Sequence, residues 1–377
     1  VLRKGLVVTA LALVLATGAG AEPRRPADPA EVLERLPPAA RPVVADGTVR
    51  LEEARVWAQR AALTQDSRFA GYAQAALGPA WEAAEPIPQA LVLRAVLKQH
   101  RHDFTGALDD LDRAIAQDPG DPQARLTRAG VRLATGDPAG SMADCRALRR
   151  MPVAAVAVVA CEALAASRSG RAGLASVLLE GALGDGEEVP PELRAWSFTA
   201  MGEILAALGR EDEAERWLLR ALEAAPEDAY ARQALADHWL ATGRAERVPA
   251  LMAGRVGNDG HRLRLALALL ATGDPAADEH VAILRERYAT SHARGEATAA
   301  REEARLLLAL GDAASALPVA ARNWRVQREP VDALILLEAA RAAGRAEAAR
   351  PVLDWIAATG IEDVRLAAGV AVLGEGS

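Results

Sequence analysis

Aromatic side chains are scarce in this 377-residue chain: Phe, Tyr and Trp together make up 3% of it, against 51% for apolar residues as a class. A core must therefore be built from Ala, Leu and Val, whose modest volumes suit helices packed closely on one another. Lysine is almost missing. Lys4 and Lys98 are the only two, and the remaining basic residues are Arg, spread along the whole length. With a net charge of −7 and no basic block, the chain carries no electrostatic footprint for nucleic acid. Cysteine occurs twice and never as C-x-x-C, and no apolar run reaches the roughly twenty residues that span a bilayer.

Catalytic signatures are missing as well. The chain has no G-x-S-x-G, H-E-x-x-H, GxxxxGK or G-x-G-x-x-G. Neither an enzyme nor a cofactor is expected. Adjacent carboxylates such as Asp109/Asp110 and Glu302/Glu303 point different ways on a helix and read as solvated faces.

The first residues, VLRKGLVVTALALVLATGAGAEP, combine a basic start (Arg3, Lys4), a short apolar run and Ala19-Gly20-Ala21. That is the layout of a secretory signal peptide, with cleavage expected after Ala21. The mature chain is then expected in the periplasm or outside the cell, with no membrane insertion after cleavage. Residues 22–50 are Pro-rich and read as a lead-in rather than a domain.

From residue 51 the sequence repeats itself. Turn signals recur as TGDPAG (135–140), SGRAG (169–173), LGREDEA (208–214), TGRAE (242–246), TGDPAAD (272–278), LGDAAS (310–315) and AGRAEAA (343–349). Their glycines, at 136, 170, 209, 243, 273, 311 and 344, are 30 to 39 residues apart. Gln65 and His102 occupy the same place in two earlier turns without glycine. Units are expected to start near 51, 88, 122, 156, 195, 229, 259, 297 and 330, with a capping helix over 362–374. Gly136 and Gly273 suit the left-handed residue that ends a helix, Asp137 and Asp274 suit N-caps, and Pro138 and Pro275 suit the first helical turn.

Each unit pairs a small residue of its first helix with one twelve positions later: Ala58/Ala70, Ala95/Ala107, Ala129/Ser141, Ala163/Ala175, Gly202/Ala214 and Ala304/Ala316. Two antiparallel helices approach closely only over small side chains. The pattern holds less well at Leu337/Ala349 and fades at Ala236/Val248 and Ala266/Asp278. On these pairs, the period and the closing prolines Pro119 and Pro226, the chain resembles the tetratricopeptide repeat family from residue 51 to about 360. The fold expected is an all-α, tetratricopeptide-type helix-turn-helix superhelical solenoid of about nine units.

The resemblance implies a protein or peptide partner, held by the concave face that the first helices line. Threading the outward positions of those helices picks out Trp196, Thr199, Glu203 and Tyr230. Gln233, Asp237, Arg301 and Arg305 complete the set, with Leu263, Leu267 and Leu270 between. Trp196 and Tyr230, aromatics beside polar groups, are the expected anchors. The carboxylate-holding clamp of the chaperone-binding relatives is not expected, because Val92, Val96, Leu126 and Gly130 stand at its places.

Two smaller constellations remain. His100, His102 and Asp103, in the turn HRHD, are a loose candidate for a metal, the rival reading being a solvated turn. Cys145 and Cys161 lie in consecutive helices at places level across the turn, which allows either a disulfide or two thiols in contact. The function expected is that of an exported protein-binding scaffold. The alternatives are a periplasmic ligand- or metal-binding accessory protein, or an assembly factor for envelope polysaccharide or cytochrome maturation.

Overall fold

A computed structural model of the chain describes residues 50–184, 186–293 and 299–374. The expected signal peptide at 1–21 and the lead-in up to residue 49 lie outside the described residues. No strand occurs among the described residues, and no helix there is long and apolar enough to cross a membrane.

Among the described residues the helices form nine successive hairpins and a terminal helix. Hairpins 1 to 3 are α1 (Leu51–Thr64) with α2 (Ser67–Leu77), then, after the short α3 (Pro79–Glu82), α4 (Pro88–His100) with α5 (Phe104–Gln117), and α6 (Pro122–Ala134) with α7 (Pro138–Leu148). Hairpins 4 to 6 are α8 (Ala155–Ser167) with α9 (Ala172–Gly184), α10 (Pro191–Ala207) with α11 (Glu211–Ala224), and α12 (Ala229–Ala241) with the short α13 (Val248–Met252). Hairpins 7 to 9 are α14 (Asp259–Thr272) with α15 (Ala277–Ala293), α16 (Ala300–Ala309) with α17 (Ala313–Trp324), and α18 (Pro330–Ala342) with α19 (Arg350–Thr359). The last helix is α20 (Val364–Gly374). The fold is an all-α, tetratricopeptide-type solenoid.

The turns follow from residue chemistry. All seven turn glycines take a left-handed backbone, with φ between 64° and 83°. The two turns without glycine do the same: Gln65 (φ 52°) and His102 (φ 60°) are the only non-glycine residues with positive φ among the described ones. Asp103, Asp121 and Asp137 each cap the following helix by accepting from backbone N–H groups two or three residues on. The turn at 273–276 differs from expectation. Asp274 accepts from Ala276 N at 2.9 Å, α15 starts only at Ala277, and Pro275 lies in the turn before it.

Where the hairpins cross, the small residues are buried: Ala95 and Ala107 are both fully covered, and so are Ala304 and Ala316. At Gly202 a Cβ would stand 2.7 Å from Leu218 Cγ and 3.2 Å from the Ala214 carbonyl. Hairpin 7 departs from the rule: at the start of its second helix Ala277 (3% exposed) is the buried small residue, and Asp278 faces outward.

Hairpins 2 and 3 share a buried ionic network in the same register. Asp110 is 2% exposed and holds Arg94 Nε at 2.7 Å and Lys98 Nζ at 2.8 Å. Thirty-four positions on, Asp144, also 2% exposed, holds Arg128 Nε at 2.9 Å and Arg132 Nη1 at 2.8 Å. The solvated face expected at Asp109/Asp110 is therefore wrong for Asp110, because the first helix of its hairpin presents two cations to it. Cys145 and Cys161 are joined by a disulfide between α7 and α8, with Cα atoms 5.6 Å apart.

Candidate functional site

The superhelix closes on itself. The turn of hairpin 1 reaches hairpins 6 and 7, where Gln233 Nε2 donates to Gln65 Oε1 at 2.8 Å and Asn258 Nδ2 donates to the Thr64 carbonyl at 3.0 Å. The end of α6 receives the N–H of Arg328 at the Ala134 carbonyl, 2.8 Å away. At the start of α9, Ala172 N donates to Glu362 at 3.0 Å. Glycine is needed in two of these turns for a second reason besides φ. A Cβ on Gly136 would lie 2.9 Å from Arg328 Cβ, and one on Gly170 would lie 2.6 Å from the Gly360 carbonyl.

Closure turns the concave face into the wall of a lumen of about 2580 Å³. All eight residues singled out on the first helices line it: Trp196, Thr199, Glu203, Tyr230, Gln233, Asp237, Arg301 and Arg305. Most are already engaged with the protein itself. The Thr199 hydroxyl donates to the Ala195 carbonyl at 2.9 Å and the residue is 1% exposed, so it offers nothing to a partner. Trp196 is half-buried between two clusters of the core, which removes it as a free anchor. Leu263 is fully buried, a further correction: the first helix of hairpin 7 turns Arg264 and Leu267, not Leu263, toward the lumen.

Several charged groups on the wall are paired. Asp237 accepts from Arg264 Nη2 at 2.7 Å and from Arg305 Nη2 at 2.7 Å. Burial alone would raise the Asp237 carboxyl, but the two guanidiniums outweigh it and hold it well below the usual carboxylate range. Arg301 spans Asp332, at 2.7 Å, and Glu329, at 2.5 Å. Asn323 Nδ2 donates to the same Asp332 at 2.6 Å. For Glu203 the balance runs the other way: burial pushes its carboxyl up, and Arg168 and the Tyr230 hydroxyl offset this only in part. Tyr230 donates to Glu203 yet leaves 44% of its surface exposed, so it is the aromatic of the wall still open to contact.

Residues missed by sequence reasoning are the pairing partners, Arg264, Glu329 and Asp332, together with Asn258. Each sits on a first helix or just before one, and no local pattern marks which early residue it meets. Tyr288 OH and Arg305 Nη1 are buried without a hydrogen-bond partner at this wall. The metal candidate does not assemble. Asp103 spends its carboxylate on Gly106 N at 3.0 Å, and the His102 ring stacks on Phe104 at 5.5 Å. Burial pulls both His100 and His102 below the usual imidazole range. Among the described residues no three His, Cys, Asp or Glu side chains converge on a possible metal position.

No family model matches the chain, and no curated protein matches it. Solved structures similar to it include PilW, a widely conserved type IV pilus biogenesis factor, at 21% identity and a TM-score of 0.42, covering 54% of this chain and 95% of that one. A tetratricopeptide repeat protein from Parabacteroides merdae is similar at 15% identity and a TM-score of 0.40, covering 63% of this chain and 91% of that one. The Rap protein complexed with competence and sporulation factor is similar at 14% identity and a TM-score of 0.49, covering 87% of each chain. None of these likenesses bears on function.

Proposed function

We propose that the protein is an exported, non-enzymatic scaffold that holds a segment of another protein within its lumen. The observation that carries this reading is the lumen itself: a large concave space with an accessible aromatic, Tyr230, beside the carboxylate of Glu203. An aromatic ring with a polar neighbour inside a partly desolvated cavity is the usual composition of a binding hot spot. The rest of the wall mixes apolar side chains such as Leu133, Leu267 and Leu334 with ion pairs formed within the protein, which favours a partner segment of mixed polarity over one strongly charged ligand. Export is supported by the pattern of residues 1–21 and by the use of the only two cysteines in one disulfide, which suits an oxidising compartment. A metal-binding role has no converging ligands behind it among the described residues, and no residue singles out envelope assembly or cytochrome maturation.

The test is affinity capture from an envelope extract with the chain starting at Glu22, beside the double variant Tyr230→Ala/Glu203→Ala. A protein retained by the parent and lost by the folded variant supports binding in the lumen. Equal retention by both moves the site elsewhere. If neither retains anything, the scaffold reading fails.

A further inference from the structure

The contacts that close the lumen differ in kind from those that stack the hairpins. Every buried apolar cluster joins hairpins no more than two apart, and none links hairpin 1 to hairpins 6 and 7. At that junction the bonds come from amide side chains: Gln233 to Gln65, and Asn258 to the carbonyls of Thr64 and Gln65 at 3.0 and 3.4 Å. We propose that Gln65, Gln233 and Asn258 form a latch that holds hairpin 1 against hairpins 6 and 7 at one side of the lumen, and that releasing it lets hairpin 1 swing away while the hairpin stack stays folded and the contacts of Ala134 with Arg328 and of Ala172 with Glu362 stay in place.

Three features show that this junction is built. Gln65 holds a left-handed backbone where seven other turns use glycine, a conformation that costs a residue with a side chain and persists where the surroundings require it. Its side-chain oxygen is the acceptor that a glycine could not supply. Asn258 has two tasks, since Oδ1 caps α14 by accepting from His261 N at 3.1 Å while Nδ2 holds hairpin 1. Gln233 is 7% exposed and lies so close to Gly260 that a Cβ there would meet its Nε2 at 2.5 Å. Hydrogen bonds of this type exchange readily with water, whereas apolar stacking does not, so the junction is where opening is cheapest. The use of the latch to admit a partner rests on the scaffold reading; the latch itself does not.

Two substitutions release it without breaking the turn or the cap. Asn258→Asp keeps the capping oxygen but replaces the donor with a carboxylate facing two carbonyls. Gln65→Gly keeps the left-handed turn and removes the acceptor. Nitroxide labels at Arg68→Cys and Ala253→Cys, both exposed, report the gap across the junction by pulsed electron spin resonance. The native cysteines are bonded to each other and take no label. The expected result is one short, narrow distance in the labelled parent and a longer distance as the major population in each latch variant, with unchanged helix content. The same narrow distance in all three, or a broad long distance already in the parent, would overturn the latch. If the variants open but the capture experiment finds no partner, the scaffold reading fails and the latch stands.

Discussion

Asp237 and Arg305 are 68 positions apart in the chain, yet Arg305 Nη2 lies 2.7 Å from Asp237 Oδ1. Arg264 takes the other oxygen of the same carboxylate. One acidic side chain thus ties three first helices, α12, α14 and α16, into a continuous wall. A carboxylate bound in this way makes the wall sensitive to acid.

The sign of that sensitivity follows from the shifts. For both Asp237 and Asp110 burial opposes ionisation, but the neighbouring cations outweigh it and lower the folded-state pKa from 3.8. The stabilisation is therefore fully present above the unfolded value and is lost as pH falls through the folded one. The urea midpoint should hold steady from neutral pH to about 5 and drop below about 4. In Asp237→Asn and Asp110→Asn the acid limb should be shallower.

The paired networks of hairpins 2 and 3 predict two unequal losses. Asp110→Ala leaves Arg94 buried and Lys98 half-buried without their anion, whereas after Asp144→Ala the half-buried Arg128 keeps Asp112 at 2.6 Å and Arg132 loses its close carboxylate. Asp110→Ala should cost about 3 kcal/mol in urea unfolding, because a buried cation remains behind, and Asp144→Ala should cost less. A loss below about 1 kcal/mol for Asp110→Ala would mean that water reaches the site and satisfies its cations.

Gly202 and Gly181 make a contrasting pair. Gly202→Ala should destabilise by about 2 kcal/mol, since its Cβ would press on Leu218 and on the Ala214 carbonyl where α10 crosses α11. Gly181→Ala, helical, exposed and with nothing within 4 Å, should be neutral or stabilising by about 0.5–1 kcal/mol. Thermal or urea unfolding of both variants checks the pair.

The Cys145–Cys161 disulfide closes a loop of 16 residues between consecutive hairpins. Reduction, or Cys145→Ser with Cys161→Ser, should lower stability by about 3 kcal/mol. Non-reducing peptide mapping should recover the two cysteines in one linked pair. Recovery of two free thiols would contradict the bond.

The hairpins were legible in the sequence because their determinants are local. Glycine at the left-handed turn position, Asp at the cap and a small residue at each crossing all lie within one unit. Gln65 and His102 stood out as turn positions without glycine, but nothing nearby tells that Gln65 carries a side chain needed by Gln233. The candidate wall was legible as a set of outward positions on first helices, with errors at Leu263, which is buried away from the lumen, and at Thr199, which lines it but spends its hydroxyl on its own helix. Closure was not legible. It joins residues as far apart as Ala172 and Glu362, through hydrogen bonds that impose no periodicity on either segment.

The most direct test of the account is small-angle X-ray scattering of the purified protein in dilute solution. The account predicts a profile that the closed superhelix fits, with a compact distance distribution and the signature of an internal space. An elongated profile, matching the hairpins stacked as an open rod, would contradict it, because the closed lumen and the latch exist only if hairpin 1 meets hairpins 6 and 7.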